Sequence, residues 1–271
     1  MALIDTDWNA EWMQLQSGRE VPHDASYWDE RADDFSATGD ASVYALTFIE
    51  YMGLLPGESV LDVGSGSGTL ALPLARAGHR VCAVDFSERM LSILRAQASE
   101  ESLGDVSAIT ASWEDDWPAA GIRAADVAVA SRSIAVTDLR AALQKLDASA
   151  RRRVCLATAV DGVLPALVAH AAVGRDYRRH YDYVYIVNVL FQMGILPDLR
   201  FMRHEWQQPF ADVHSARDVM RRLIAPLDER EEVLLARYLA EHLHETAGGG
   251  LWKLDQTIAS TWAFIAWDKS V

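Results

Sequence analysis

The chain has 271 residues, half of them hydrophobic, with 25 basic and 39 acidic side chains and a formal net charge of −14. That length allows one large domain or a core domain with additions, and a surface so negative disfavours a nucleic-acid partner without a local basic patch. No apolar run reaches the roughly twenty residues of a membrane span, the acidic start "MALIDTDWNAEWMQL" lacks the basic region of a secretory signal, and none of the lysines (Lys145, Lys253, Lys269) lies in a glycine-rich loop, against Walker-type hydrolysis and Schiff-base chemistry. Cys82 and Cys155 sit inside apolar runs, as buried thiols of a reducing compartment do, so a cytoplasmic protein is expected.

Residues 1–50 read as a helical region whose Trp8, Trp12 and Trp28 suggest packing onto a neighbour. "SVLDVG" is a strand, and "TLALPLARAG" a short helix closed by Gly78. "RVCAVDF" is a second strand ending on an acid. "SERMLSILRAQAS" has helical spacing with Ser87 as N-cap. "VSAITASW" and "ADVAVAS" are strands, "TDLRAALQKLDA" a helix capped by Thr137 or Asp138, and "RRVCLAT" a further strand. Apolar strands alternating with helices imply a parallel sheet covered on both faces. After Thr158 the rhythm breaks. Residues 161–199 form a mostly helical stretch too long for an ordinary connection. A strand ("LRFMRHEWQQPF"), two helices ("SARDVMRRLIAPL", "EREEVLLARYLAEHLHE") and a last strand ("TIASTWAFIAWD") complete the chain.

In "VLDVGSGSGTL", Gly64, Gly66 and Gly68 alternate with serines, Ser65 first, where the first strand turns into a helix. Glycine permits positive φ and removes Cβ from the contact surface, and a ligand lying across the strand ends of an open α/β sheet meets this turn. The expectation is a nucleoside cofactor too close for any side chain. Spacing separates the candidates. The dinucleotide fingerprint is G-x-G-x-x-G, and here the third glycine comes one residue early. Asp62 stands two residues before the first glycine, and Asp85, seventeen after Gly68, ends the second strand. The pattern resembles the acid-x-G-x-G-x-G signature of class I S-adenosylmethionine-dependent methyltransferases of the small-molecule type.

The resemblance implies a Rossmann-like α/β fold: a seven-stranded, mostly parallel sheet in the order 3-2-1-4-5-7-6, the last strand antiparallel beside the fifth. It divides the chain into an N-terminal cap (1–50), a cofactor-binding core (51–160), a helical lid (161–199) and a C-terminal completion of the sheet (200–271). Cys82 and Cys155 would then lie three strand spacings, about 14 Å, apart, beyond the about 7 Å a disulfide tolerates. S-adenosylmethionine is the implied cofactor. Asp85 would accept both ribose hydroxyls, a strong charge-assisted arrangement, and Asp62 would face the cationic amino group. Phe86 and Met90 would pack the adenine. Ser112 and Trp113, in "ASWEDDW", stand where the family more often has Asp-Ala. "PHDASYWDERADDF" resembles the segment that closes over the cofactor, which offers Tyr27, Trp28 and Arg31, the last as a fork for a carboxylate.

Methyl transfer from a sulfonium needs alignment and exclusion of water, and a base where the acceptor carries a proton. His180, His170 and His23 are the candidates, and Arg132, after the fourth strand, is placed to touch the acceptor. The insertion adds Tyr177, Tyr181, Tyr183 and Tyr185 with Arg175, Arg178 and Arg179, a tyrosine-lined lid drawing an acidic substrate. The Asn-Pro-Pro-Tyr type motif of nucleic-acid amino-methylating enzymes is absent, which favours a small acidic or aromatic acceptor. No Cys/His metal cluster is evident, and His242 and His244, two apart, would diverge on a helix. The alternatives are a nicotinamide or nucleotide-sugar oxidoreductase, a tRNA or protein methyltransferase, and a non-catalytic binder of the same cofactor.

Overall fold

The central strand, Val60–Val63 (β1), is buried at all four positions. It pairs in parallel with Val81–Asp85 (β2), where Val60 faces Val81, and with Ala125–Ser131 (β4), where Val60 faces Val127. Val106–Thr110 (β3) extends the sheet beyond β2, and Ala150–Ala159 (β5) beyond β4, again in parallel. Asp198–Trp206 (β6) and Ile258–Asp268 (β9) complete the order β3-β2-β1-β4-β5-β9-β6. The Lys269 N–H donates to the Arg152 carbonyl and Val160 N–H to that of Thr261, so β9 runs antiparallel to β5. This is the expected seven-stranded order. A computed structural model supplies these coordinates and describes residues 5–18, 25–30, 32, 43–160, 164–177, 181–206, 209–255 and 258–269.

The helices follow from local signals. Ser87 caps Glu88–Glu100 (α5) by accepting the Met90 N–H, and Asp138, not Thr137, caps Leu139–Ala148 (α6). The other helices on this side of the chain are Trp8–Ser17 (α1), Ala25–Asp29 (α2), Val43–Met52 (α3) and Ala71–Arg76 (α4). Beyond β5 come Leu164–Ala172 (α7), Asp182–Gln192 (α8), Val213–Ile224 (α9) and Glu229–His242 (α10). No helix among the described residues is long and apolar enough to cross a membrane. Cys82 on β2 and Cys155 on β5 are free thiols separated by β1 and β4. Burial pushes the Cys155 thiol up to about 12, which keeps it protonated and inert.

Two compact units emerge: residues 1–158, 182–202 and 263–271, and residues 159–181 and 203–262. In the first, the sheet core takes in the fully buried Trp12, whose indole N–H donates to the Val136 carbonyl at 2.7 Å. Tyr185 of α8 packs edge-on to Trp8 and Trp12, and Tyr183 packs on Phe201. Thus α8, expected as part of a lid with residues 161–181, joins the first unit's core instead. Its tyrosines were drawn there because their ring faces continue the apolar stripe of Ile186, Val189 and Leu190.

In the second unit, α7, α9 and α10 share a core around Ala169, Met220, Leu235 and Leu239. Capping boxes at Asp212/Ser215 and Asp228/Glu231 start α9 and α10. A hairpin, Leu243–Glu245 (β7) against Trp252–Leu254 (β8), had not been anticipated. Because α10 ends at His242, His242 and His244 both face Asp255, at 3.2 and 3.8 Å, rather than diverging along a helix. Arg175, expected to attract a substrate, is bonded to both Glu231 oxygens and to the Ile224 and Pro226 carbonyls. Arg178, Arg179 and His180 lie outside the described residues.

Arg175 and the Asp228 N–H hold the Glu231 carboxyl down to about 2, from an ordinary 4.5. A depressed acid stabilises the fold above its ordinary value, and the contribution is lost as pH falls through the folded one. Arg175→Ala is therefore expected to melt several degrees lower at pH 7. The gap to the parent should narrow between about pH 4.5 and 2, to the part that the bonds to the Ile224 and Pro226 carbonyls supply. A circular-dichroism melt series over that range checks it, and a gap constant with pH contradicts it.

Candidate cofactor site

The turn after β1 is built by backbone bonds to β2. The Gly64 and Ser65 N–H groups both donate to the Val84 carbonyl, at 2.7 and 3.0 Å. That folds the loop over the end of β2, where the Asp85 carboxylate accepts the Gly66 N–H at 2.8 Å and the Ser87 N–H at 2.9 Å. Asp85 thus points into the glycine loop and ties it to the cap of α5. A carboxylate has about four acceptor positions, so two such bonds leave capacity for a diol. Burial raises the Asp85 carboxyl, the N–H groups of Ser87, Gly66 and Phe86 oppose that, and the Asp29 charge adds to it.

The three glycines are needed for different reasons, which corrects the expectation that a cofactor excludes side chains at each. All have positive φ. A Cβ at Gly64 would stand 2.1 Å from the Ser133 Cβ, and one at Gly68 would stand 2.9 Å from Leu72. These two are set by the protein's own packing. At Gly66 a Cβ would meet nothing within 4 Å, so the open space lies there. The helix beyond is six residues long and starts only at Ala71, which leaves the loop itself to supply the polar groups.

Asp62 is 1% exposed on β1, and its Oδ2 has no hydrogen-bond partner among the described residues. Burial, followed by the Asp85 charge, pushes its carboxyl up to about 7, against the pull of Arg132. The buried Ser65 Oγ is likewise without a partner. A buried acceptor left unpaired costs about 1–3 kcal/mol, so these two atoms mark a place where a polar ligand fits, and the carboxylate asks for a cation.

The other sequence-predicted residues are spread around this loop. Phe86 is half-buried beside Asp85, and Met90 is buried in the first turn of α5. The Ser112 hydroxyl accepts the Glu114 N–H at 3.2 Å. Trp113 donates its indole N–H to the Ser133 carbonyl at 3.0 Å and packs on Trp117, so it braces the loop after β4. Tyr27 and Trp28 pack edge-to-face on α2, at 5.2 Å. Arg132 has a left-handed backbone, φ 61°. His170, in the second unit, gives its Nδ1–H to the Ala166 carbonyl at 2.7 Å. His23 and Arg31 lie outside the described residues.

Sequence reasoning missed Asp29, which accepts the Ser87 hydroxyl at 2.5 Å and anchors α2 beside Asp85. It also missed Tyr44 and Ser131, which meet below Arg132. The segment "SYWDER" drew attention to its aromatic residues, and "ASRS" to its arginine, while the short polar neighbours carried no signal of their own. A surface hollow of about 570 Å³ lined by Asp5, Asn9, Arg140 and Gln192 involves none of these residues.

Residues 60–152, which span the loop, Asp62 and Asp85, match the family described as a methyltransferase domain. Over residues 60–152 the chain carries a methyltransferase domain. An uncharacterized protein of Haemophilus influenzae is 34% identical over 180 residues, 66% of each chain. The ubiquinone biosynthesis O-methyltransferase of Hahella chejuensis is 30% identical over 95 residues, 35% of this chain and 39% of that one. Among solved structures, phosphoethanolamine N-methyltransferase 2 of Haemonchus contortus, in complex with phosphomonomethylethanolamine and S-adenosylhomocysteine, superposes with a TM-score of 0.52 at 13% identity, covering 98% of this chain and 61% of that one. The chain thus spans under two thirds of the length of the curated relatives it matches, and what it shares with the O-methyltransferase is about a third of itself.

Proposed function

We propose that the chain transfers a methyl group from S-adenosylmethionine to a small acidic or aromatic acceptor. The observation that carries this is the unpartnered Asp62 carboxylate, buried at the end of β1 beside a loop that Asp85 closes. The cofactor supplies an activated methyl on a positive sulfur. The chain's residues do the rest. Asp62 and Ser65 take the amino-acid end, where an anion and a hydroxyl face an ammonium. Asp85 takes the ribose diol with its remaining lone pairs, and Gly66 leaves room for it. Phe86 and Met90 flank the adenine, with Ser112 and Trp113 holding the far wall. Tyr27, Trp28 and Arg31 cover the edge.

Arg132, exposed after β4, contacts the acceptor and favours an acidic one. The ubiquinone biosynthesis O-methyltransferase among the relatives supports an oxygen as the atom methylated. A proton on the acceptor leaves through a histidine. His180, His170 and His23 are the candidates. Calorimetric titration with S-adenosylmethionine, S-adenosylhomocysteine and NAD tests the proposal. The first two are expected to bind one per chain and NAD not at all, and the chain should then release S-adenosylhomocysteine when mixed with small acids or phenols. Binding of NAD in place of S-adenosylhomocysteine would sink it.

A further inference from the structure

Two contacts converge on Tyr44, a residue of α3 that no motif singles out. It is only 7% exposed. Its hydroxyl and that of Ser131 lie 2.5 Å apart, which joins α3 to the end of β4. The Arg132 guanidinium carbon stands 4.5 Å from the centre of its ring, within the range of a cation–π contact. Arg132 is itself constrained. Its left-handed backbone is held by the bond from its N–H to the Ala157 carbonyl at 2.9 Å. A non-glycine residue pays roughly 1–2 kcal/mol for that conformation, and such strain persists where the surroundings over-determine it. Backbone and head group of Arg132 are therefore fixed from two sides, by β5 and by α3.

We propose, on the basis of the function given above, that Tyr44 is a positioning residue of the cofactor site: its ring shelves the Arg132 guanidinium where that charge supports Asp62. The groups facing Asp62 define what Arg132 does. Asp85, from β2, repels it. Cys82, also on β2, and Tyr44 are both raised by burial and stay uncharged near pH 7. Arg132 is the opposing cation. Asp62 can hold an ammonium only as a carboxylate, so whatever holds Arg132 in place sets the lower pH limit of cofactor binding.

Calorimetric titration with S-adenosylhomocysteine between pH 6 and 8.5 tests this. In the parent, affinity is expected to fall about tenfold per unit below an inflection near pH 7. Arg132→Gln should move the inflection upward by roughly one unit. Tyr44→Leu should move it in the same direction, and the double variant no further. Tyr44→Phe keeps the ring and should leave the inflection in place, which keeps the claim testable if Tyr44→Leu fails to fold. A uniform loss of affinity at every pH in Tyr44→Leu, an unmoved inflection in Arg132→Gln, or a shift in Tyr44→Phe overturns the proposal while the methyltransferase reading stands. No binding by the parent at any pH overturns both.

Discussion

Asp85→Ala is expected to lose S-adenosylhomocysteine affinity by about a hundredfold or more. The carboxylate has two tasks. Toward the protein it accepts the Gly66 and Ser87 N–H groups, and so holds the loop against the start of α5. Toward the ligand it offers its remaining lone pairs to a diol. Bonds to a charged acceptor are worth about 1.5–3 kcal/mol each, and two lost ligand bonds give about 3 kcal/mol, or two decades of affinity. Asp85→Asn separates the tasks. Its carbonyl oxygen can still accept one backbone N–H, while its amide turns a donor toward the other. It should therefore melt between the parent and Asp85→Ala, and bind poorly. Titration calorimetry with a thermal melt beside it gives both readings. Affinity in Asp85→Ala within threefold of the parent would remove the carboxylate from the ligand's side of the loop.

Gly64→Ala should destabilise the protein by about 2–4 kcal/mol, combining a left-handed alanine with an overpacked contact. The new methyl would stand 2.1 Å from the Ser133 Cβ, and Ser133 cannot retreat because its hydroxyl is bonded to the Val63 carbonyl at 2.6 Å. Ser133→Gly in the same chain removes the opposing atom and should recover most of the overpacking part. Gly66→Ala is the contrasting case. Its methyl enters open space, so only the backbone term of about 1 kcal/mol falls on stability. Its larger effect should be on ligand affinity, because that space is where the cofactor is proposed to pass. Thermal denaturation and calorimetry of the three variants check both statements. Equal destabilisation by Gly64→Ala and Gly66→Ala would show that neither loop position is set as described.

Much of the core was legible because its signals are local. The strand-and-helix alternation from Val60 to Ala159, the Ser87 cap and the spacing Asp62-x-Gly64-x-Gly66-x-Gly68 each depend on residues a few positions apart. Helix periodicity and glycine's freedom of φ act at that range, so the parallel sheet and the loop could be expected in advance, while the order of the strands came only with the family resemblance. The β7–β8 hairpin was missed because its strands are three residues long. Such strands show no periodicity, and "EHLHE" continues the helical pattern of α10 without a breaker. Residues 161–199 were read as one lid because they form a mostly helical stretch too long for an ordinary connection. Which hydrophobic surface each half would join is a long-range matter that composition does not encode.

By itself, then, the sequence determined the class of fold, the turn that faces the ligand and the two acids at its edges. These rest on backbone conformation and hydrogen-bonding rules that operate within one strand–turn–helix unit. The tertiary structure alone decided why each glycine is there, since Ser133 lies 69 residues from Gly64 and only the β1–β4 pairing brings them together. It also decided that Tyr44 and Arg132, 88 residues apart, share one contact, and that Asp62 is a buried carboxylate with an open oxygen. Burial, and the charges that act through it, depend on what surrounds a side chain in space, and that exists only once the sheet is assembled.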